Sequence, residues 1–220
     1  MSQSENSRRI FIALDLPATV KRFLKSLSET LSTYELKGLR VVHPDNLHLT
    51  LRFLGHTSTT DIAALSASLK EIATSIRPFV VRPLGMGTFP KRAKAQVLWI
   101  GIGGDLEALH TLQAHIETVT DQVMPSIRKP QFLPHITIGR FKPIATTQDR
   151  TIATTALTRF LRSNEYRSVE VSNGMSLIQS TLTPESAVYT QVGTYFVTKI
   201  AFISKFSQSS LNSAFKDVSL

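Results

Sequence analysis

The chain has 220 residues and no cysteine. That absence excludes disulfides, thiolate metal centres and a cysteine nucleophile, and it suits a reducing compartment. Acidic residues are scarce. Sixteen Asp and Glu stand against 25 Lys and Arg, giving a formal net charge of +9 and a pI near 10.0. A field of that sign attracts polyanions, RNA and nucleotides first among them. No apolar run approaches the roughly 20 residues of a membrane-spanning helix. The opening MSQSENSRRIFIAL carries polar residues where a signal peptide would be apolar. A cytoplasmic protein without membrane attachment is expected. Ten glycines, ten prolines and no repeat of solenoid length exclude fibrous and array architectures. The 42% of apolar residues is enough for a substantial core.

Hydrophobic periodicity alternates between strand and helix. Arg9 to Leu16 reads as a strand, and Pro17 opens a helix to Leu31 with Val20, Phe23, Leu24, Leu27 and Leu31 on one face. Strands follow at Leu39 to His43 and Leu47 to Leu54. A helix comes after the cluster Thr57 to Asp61, with Ile62, Leu65, Leu69 and Ile72 apolar. Strands at Phe79 to Met86 and Gln96 to Ile102 precede a long amphipathic stretch that runs from Asp105 to Val123 and stops at Pro125. A strand at His135 to Phe141, a helix from about Thr147 to Leu161, and strands near Ser168 to Ser180 and Ala187 to Val192 complete the pattern. The order repeats, which predicts an α+β fold of two similar lobes around a central cleft, each an antiparallel sheet with helices outside. No linker separates the halves, so a single domain over 1–220 is expected, with 1–7 and about 204–220 as tails.

Two short segments carry the chemistry. Residues 45–55 read DNLHLTLRFLG and residues 131–141 read QFLPHITIGRF. Side chains in a strand alternate faces, so His48 and Thr50 share one face and Leu49 and Leu51 the other; His135 and Thr137 divide from Ile136 and Ile138 in the same way. The aliphatics belong to the core. The remaining side chains present two imidazoles and two hydroxyls to one cleft. In-line displacement at a phosphodiester needs a base on the attacking oxygen and an acid on the leaving oxygen, and two histidines supply both without a metal. Threonine hydroxyls and a nearby arginine, Arg140, donate hydrogen bonds to the non-bridging oxygens. Neither motif holds further ligands at metal spacing. The other four histidines, His43, His56, His110 and His115, are read as structural.

At these residues the sequence resembles the 2H phosphoesterase superfamily, and within it the RNA 2′,3′-cyclic phosphodiesterase family, historically called 2′-5′ RNA ligases. The resemblance runs from about Arg9 to Val192 and includes RRIFIALDLP, NLHLTLRFLG, GTFPKRAKAQVLWIGI, LPHITIGRF and MSLIQSTLTPESAVY. It implies a bilobal fold with pseudo-twofold symmetry and a basic cleft. It implies His48 and His135 as catalytic acid and base, with Thr50, Thr137 and Arg140 on the substrate phosphate. Phe53 would meet the base. The expected substrate is RNA with a 2′,3′-cyclic phosphate end, or a cyclic nucleotide, opened to a 2′-phosphate by a monomer without cofactor or metal. Leu133 and Glu185 depart from the family pattern, standing where Arg and Gly are usual. Ligation, 2′-5′ cleavage and binding without turnover all use the same groups, and the sequence does not separate them.

Strand parity opposes part of that assignment. Arg140 and Phe53 each lie five residues after their histidine, an odd offset that points to the core in a regular strand. Gly139 offers a bulge that would rescue Arg140. Nothing comparable precedes Phe53, so core packing is expected for Phe53 and the cleft face for Arg52. Arg40, Arg52, Lys91, Arg92, Lys94 and Arg128 are the basic residues expected to make RNA binding salt-dependent.

Overall fold

A computed structural model of the chain describes residues 7–90, 94–125, 131–163, 170–171, 174–183, 187–195 and 200–202. Its strands are β1 (Ser7–Asp15), β2 (Leu39–Val41), β3 (His48–Ser58), β4 (Phe79–Phe89), β5 (Val97–Gly104), β6 (His135–Phe141), β7 (Glu170–Val171), β8 (Met175–Leu182), β9 (Ala187–Tyr195) and β10 (Ile200–Phe202). Its helices are α1 (Ala18–Ser32), α2 (Thr59–Ser75), α3 (Leu106–Val123) and α4 (Thr147–Ser163). Among the described residues no helix is long and apolar enough to cross a membrane. Glu185, Lys91, Arg92, Arg128, residues 1–6 and residues 204–220 lie outside the described residues.

Three helices start where short polar side chains satisfy the free N–H groups of the first turn. Ser58 Oγ accepts from the Asp61 backbone N–H at 3.1 Å, and Asp105 accepts from that of Ala108 at 3.0 Å. Thr146 and Asp149 cap α4 reciprocally: Thr146 Oγ1 accepts from the Asp149 N–H at 3.0 Å, and Asp149 Oδ2 accepts from the Thr146 N–H at 2.7 Å. Val20, Leu24, Leu27 and Leu31 of α1 are buried as the periodicity predicts. Phe23 is only partly buried and meets Phe160 of α4 with ring centroids 5.4 Å apart.

The strands form one sheet in the order β7-β10-β4-β5-β6-β3-β1-β8-β9, with β2 beside β6. All pairs are antiparallel except β10 with β4. The series β1-α1-β3-α2-β4 and β5-α3-β6-α4-β8 repeat the same elements. In each, the last strand crosses to the other half, so that β4 pairs with β5 and β8 with β1. This exchange joins the two halves through strand pairing. α1 packs against α4, and α2 against α3.

One continuous core fills the helical face. It includes Ile12, Leu14, Leu49, Leu51, Ile136 and Ile138 from the strands, and Leu24, Leu65, Leu112 and Leu157 from the helices. Burying each such side chain contributes about 1.5–3 kcal/mol. On the opposite face of β1, Phe11 and Ala13 join Ile178 and Tyr189 in a small separate cluster beneath the cleft. β10 was not legible in the sequence. The single strand expected over Ser168 to Ser180 is divided into β7 and β8, with Gly174 at φ +144° ahead of β8.

Candidate active site

β3 and β6 pair at Leu49 with Ile136, the central residues of the two His-x-Thr triplets. The strands are antiparallel there, so one step to either side brings His48 toward Thr137 and Thr50 toward His135. The local twofold axis thus passes between the motifs, and their four polar side chains face one cavity of about 370 Å³. Arg140, Phe53, Asn46, Phe89, Tyr189 and Leu182 also line it.

The motifs share the same backbone irregularity. In β6, Leu98 of β5 faces Gly139 while Trp99 faces Thr137, which leaves Ile138 as the extra residue of a bulge. In β3, Ile12 of β1 faces Arg52 while Ala13 faces Thr50, which leaves Leu51 as the extra residue. Each bulge resets the alternation. From the histidine onward both strands are then partly exposed, buried, partly exposed, buried, buried, exposed, buried. Arg140 therefore faces the cleft, as a bulge at Gly139 predicts.

The same device corrects the expectation for Phe53 and Arg52. Phe53 is 53% exposed and lines the cavity, whereas Arg52 is 3% exposed and turned under the sheet. There its Nη1 lies 3.8 Å from Glu117 Oε1 of α3, and its guanidinium nitrogens find no hydrogen-bond partner among the described residues. Arg52 is therefore not among the exposed basic residues expected to meet a polyanion, whereas Arg40 and Lys94 are exposed. Removing only the acid of such a pair strands a buried charge. Glu117→Leu is expected to destabilise the fold by about 2 kcal/mol, less than for a fully buried pair because Glu117 retains some exposure. Arg52→Met removes the need for a partner and should be close to neutral. Urea denaturation of both variants checks the contrast.

Each histidine is oriented twice over. His48 Nδ1–H donates to the Asn46 carbonyl at 2.7 Å, and His135 Nδ1–H donates to the Leu133 carbonyl at 2.6 Å. A carbonyl only accepts, so in both neutral rings the proton sits on Nδ1 and Nε2 carries the lone pair. Aromatic rings then fix the ring planes. Phe11 lies 4.7 Å from His48 and Tyr189 meets it edge-on at 5.4 Å; Phe89 meets His135 edge-on at 5.0 Å, with Trp99 at 6.0 Å. Trp99 reaches this place because its cross-strand neighbour is Gly87, where any Cβ would overlap the indole. Sequence reasoning missed these four aromatics, since their contacts depend on strand register. The carbonyl contacts had a signal, a residue two positions before each histidine.

Burial pushes His48 down from 6.5 to about 4, against the raising effect of its Asn46 hydrogen bond. The charges of His135 and Arg140 add to the depression. His135 is also lowered, first by burial and less by Arg140, with its bond to Leu133 opposing. Leu133 is 47% exposed, so the departure from Arg leaves an apolar side chain at the surface. His43 is structural, capping the short turn at Pro44–Asn46 by accepting from the Asp45 N–H.

A two-lobed α+β fold whose symmetry axis lies between paired His-x-Thr strands defines a phosphoesterase class. The family model described as LigT-like phosphoesterase matches residues 14–99. The RNA 2′,3′-cyclic phosphodiesterase of Aquifex aeolicus is 32% identical over 158 residues, 71% of this chain and 80% of that protein. The protein of the same name from Archaeoglobus fulgidus is 29% identical over 181 residues, 82% of this chain and 96% of that protein. The crystal structure of the Thermus thermophilus protein TT0787 superposes with a TM-score of 0.64 at 22% identity, covering 86% of this chain and 97% of that one. The chain belongs to the LigT-like phosphoesterase family.

Proposed function

We propose that this protein hydrolyses the 2′,3′-cyclic phosphate end of RNA to a 2′-phosphate by two-histidine general acid–base catalysis. The observation that carries the reading is the delivery of one His-x-Thr pair from each lobe, with Arg140, into a single cavity. The names of the relatives from Aquifex and Archaeoglobus agree with it. His135 Nε2 takes a proton from water as the water oxygen bonds to phosphorus. The bond from phosphorus to O3′ breaks, and His48 Nε2–H protonates the departing oxygen. Thr50, Thr137 and Arg140 hold the non-bridging oxygens, where negative charge grows. Phe53 offers its exposed ring to the nucleobase. Each proton transfer has its own imidazole, so no metal is required.

The depressed histidines set the expected pH dependence. The productive free enzyme carries one proton on the pair. Both imidazoles hold their protons less tightly than an ordinary histidine, so that form is most populated below pH 6.5. kcat/KM should peak on that acid side and fall about tenfold per pH unit above it, while the bound phosphate anion moves the kcat profile to higher pH. The test incubates the protein with nucleoside 2′,3′-cyclic phosphates and EDTA across this range. Turnover insensitive to EDTA is the expected result. Dependence on an added divalent cation would remove the metal-free mechanism, and binding without turnover would make the cleft a recognition site.

A further inference from the structure

We infer that Arg9, together with Phe53 and Leu182, forms a second subsite for the phosphate on the 5′ side of the terminal nucleoside, so that the protein selects RNA ends over free cyclic nucleotides. This inference rests on the reading of the cleft as a cyclic-phosphate site. Arg9, Phe11 and Ala13 occupy alternate positions of β1 and share its concave face. Ala13 is the cross-strand neighbour of Thr50, Phe11 of Phe53 and Arg9 of His56. Passing along β1 from the reacting centre, a ligand therefore meets a hydroxyl, then an aromatic, then a guanidinium. Ala13 lies four residue steps from Arg9, about 13 Å along the strand. Arg9 nevertheless borders the same cavity as both histidines.

The two arginines of the cavity occupy different places in the field of the site. Arg140 opposes protonation of both His48 and His135, whereas Arg9 is not among the charges acting on either ring. Among the described residues neither arginine side chain has an ion pair or hydrogen bond, and both border the cavity. Between Arg9 and the motifs lies Phe53, 53% exposed, and Leu182, 65% exposed, borders the same cavity at the outer end beside Arg9. The order cation, apolar surface, cation matches a cyclic phosphate, its nucleoside and the preceding phosphate. A free nucleoside 2′,3′-cyclic phosphate has no group for Arg9.

The experiment compares kcat/KM for adenosine 2′,3′-cyclic phosphate and for the dinucleotide ending in the same group, in wild type, Arg9→Ala and Arg9→Lys. Wild type should prefer the dinucleotide by about ten- to a hundredfold, as expected for a hydrogen-bonded charge. Arg9→Ala should collapse that ratio toward one, and Arg9→Lys should restore part of it as a point charge. For the dinucleotide alone, Arg9→Ala should reduce the slope of log affinity against log salt by about 0.7. A wild-type ratio near one, or an Arg9→Ala loss equal on both substrates, would overturn the subsite. Fluorescence anisotropy with 2′-phosphorylated adenosine and the matching dinucleotide reads the same ratio without turnover. If neither cyclic phosphate is opened, the activity reading fails while this binding ratio still decides the subsite.

Discussion

His48→Ala and His135→Ala are each expected to lower kcat/KM on a 2′,3′-cyclic phosphate by about 10²- to 10⁴-fold, the usual effect of removing a general acid or base. The loss should appear mainly in kcat, because in the proposed mechanism Thr50, Thr137 and Arg140 hold the phosphate independently of the histidines. The double mutant should be little worse than the poorer single, since half of an acid–base pair performs little of the reaction. Folding is the control. His48 packs on Phe11 and Tyr189, so His48→Gln, which retains much of the ring's volume, separates lost chemistry from lost packing. Circular dichroism and urea denaturation of each variant provide that check. If either alanine variant retains more than about a tenth of wild-type kcat/KM with its fold intact, two-histidine catalysis is wrong. Thr50→Val, Thr137→Val and Arg140→Ala should each cost less, because each removes one of several donors to the same oxygens.

The parts of the site that were legible in the sequence are those set by local chemistry. His-x-Thr with aliphatics between is a strand pattern, and period two alone sends His48 and Thr50 to one face and Leu49 to the other. Its doubling implied two lobes and one cleft. Helix starts were equally visible, because a cap is a contact over three residues, as between Ser58 and Asp61. What the sequence concealed was decided across strands. Leu51 is an extra residue only relative to β1, which follows a different count. Arg52 and Phe53 consequently exchange the faces that parity assigns them. Gly139 announced the equivalent bulge in β6, since a Cβ there would lie 2.9 Å from the Leu39 side chain. Arg52 announced nothing, because an arginine under a sheet becomes intelligible only once Glu117 of α3 is known to lie beneath it. The exchange of β4 and β8 between halves was hidden for the same reason: it is a matter of pairing, and composition does not record it.

An activated leaving group should rescue the acid mutant and leave the base mutant impaired, and this assigns the two histidines. The rings are alike in tautomer and in their carbonyl partner. Both environments disfavour the protonated ring: burial pushes His48 down to about 4 and lowers His135 as well. In the proposed mechanism His48 donates to the departing O3′ and His135 takes the proton from water, and only kinetics separates these roles. A nucleoside phosphodiester with a p-nitrophenolate leaving group needs no proton donor, because that phenolate departs as a stable anion. On this substrate His48→Ala should recover most of the roughly 10²- to 10⁴-fold loss seen with the natural leaving group. His135→Ala should remain impaired, since water still has to be deprotonated. Product analysis gives an independent reading of geometry. Phosphorus NMR should show a 2′-phosphate from the cyclic substrate, since the proposed mechanism has O3′ as the departing oxygen. Rescue of His135→Ala instead would exchange the two roles. A predominant 3′-phosphate would turn the substrate end for end in the cleft, with O2′ rather than O3′ opposite the attacking water.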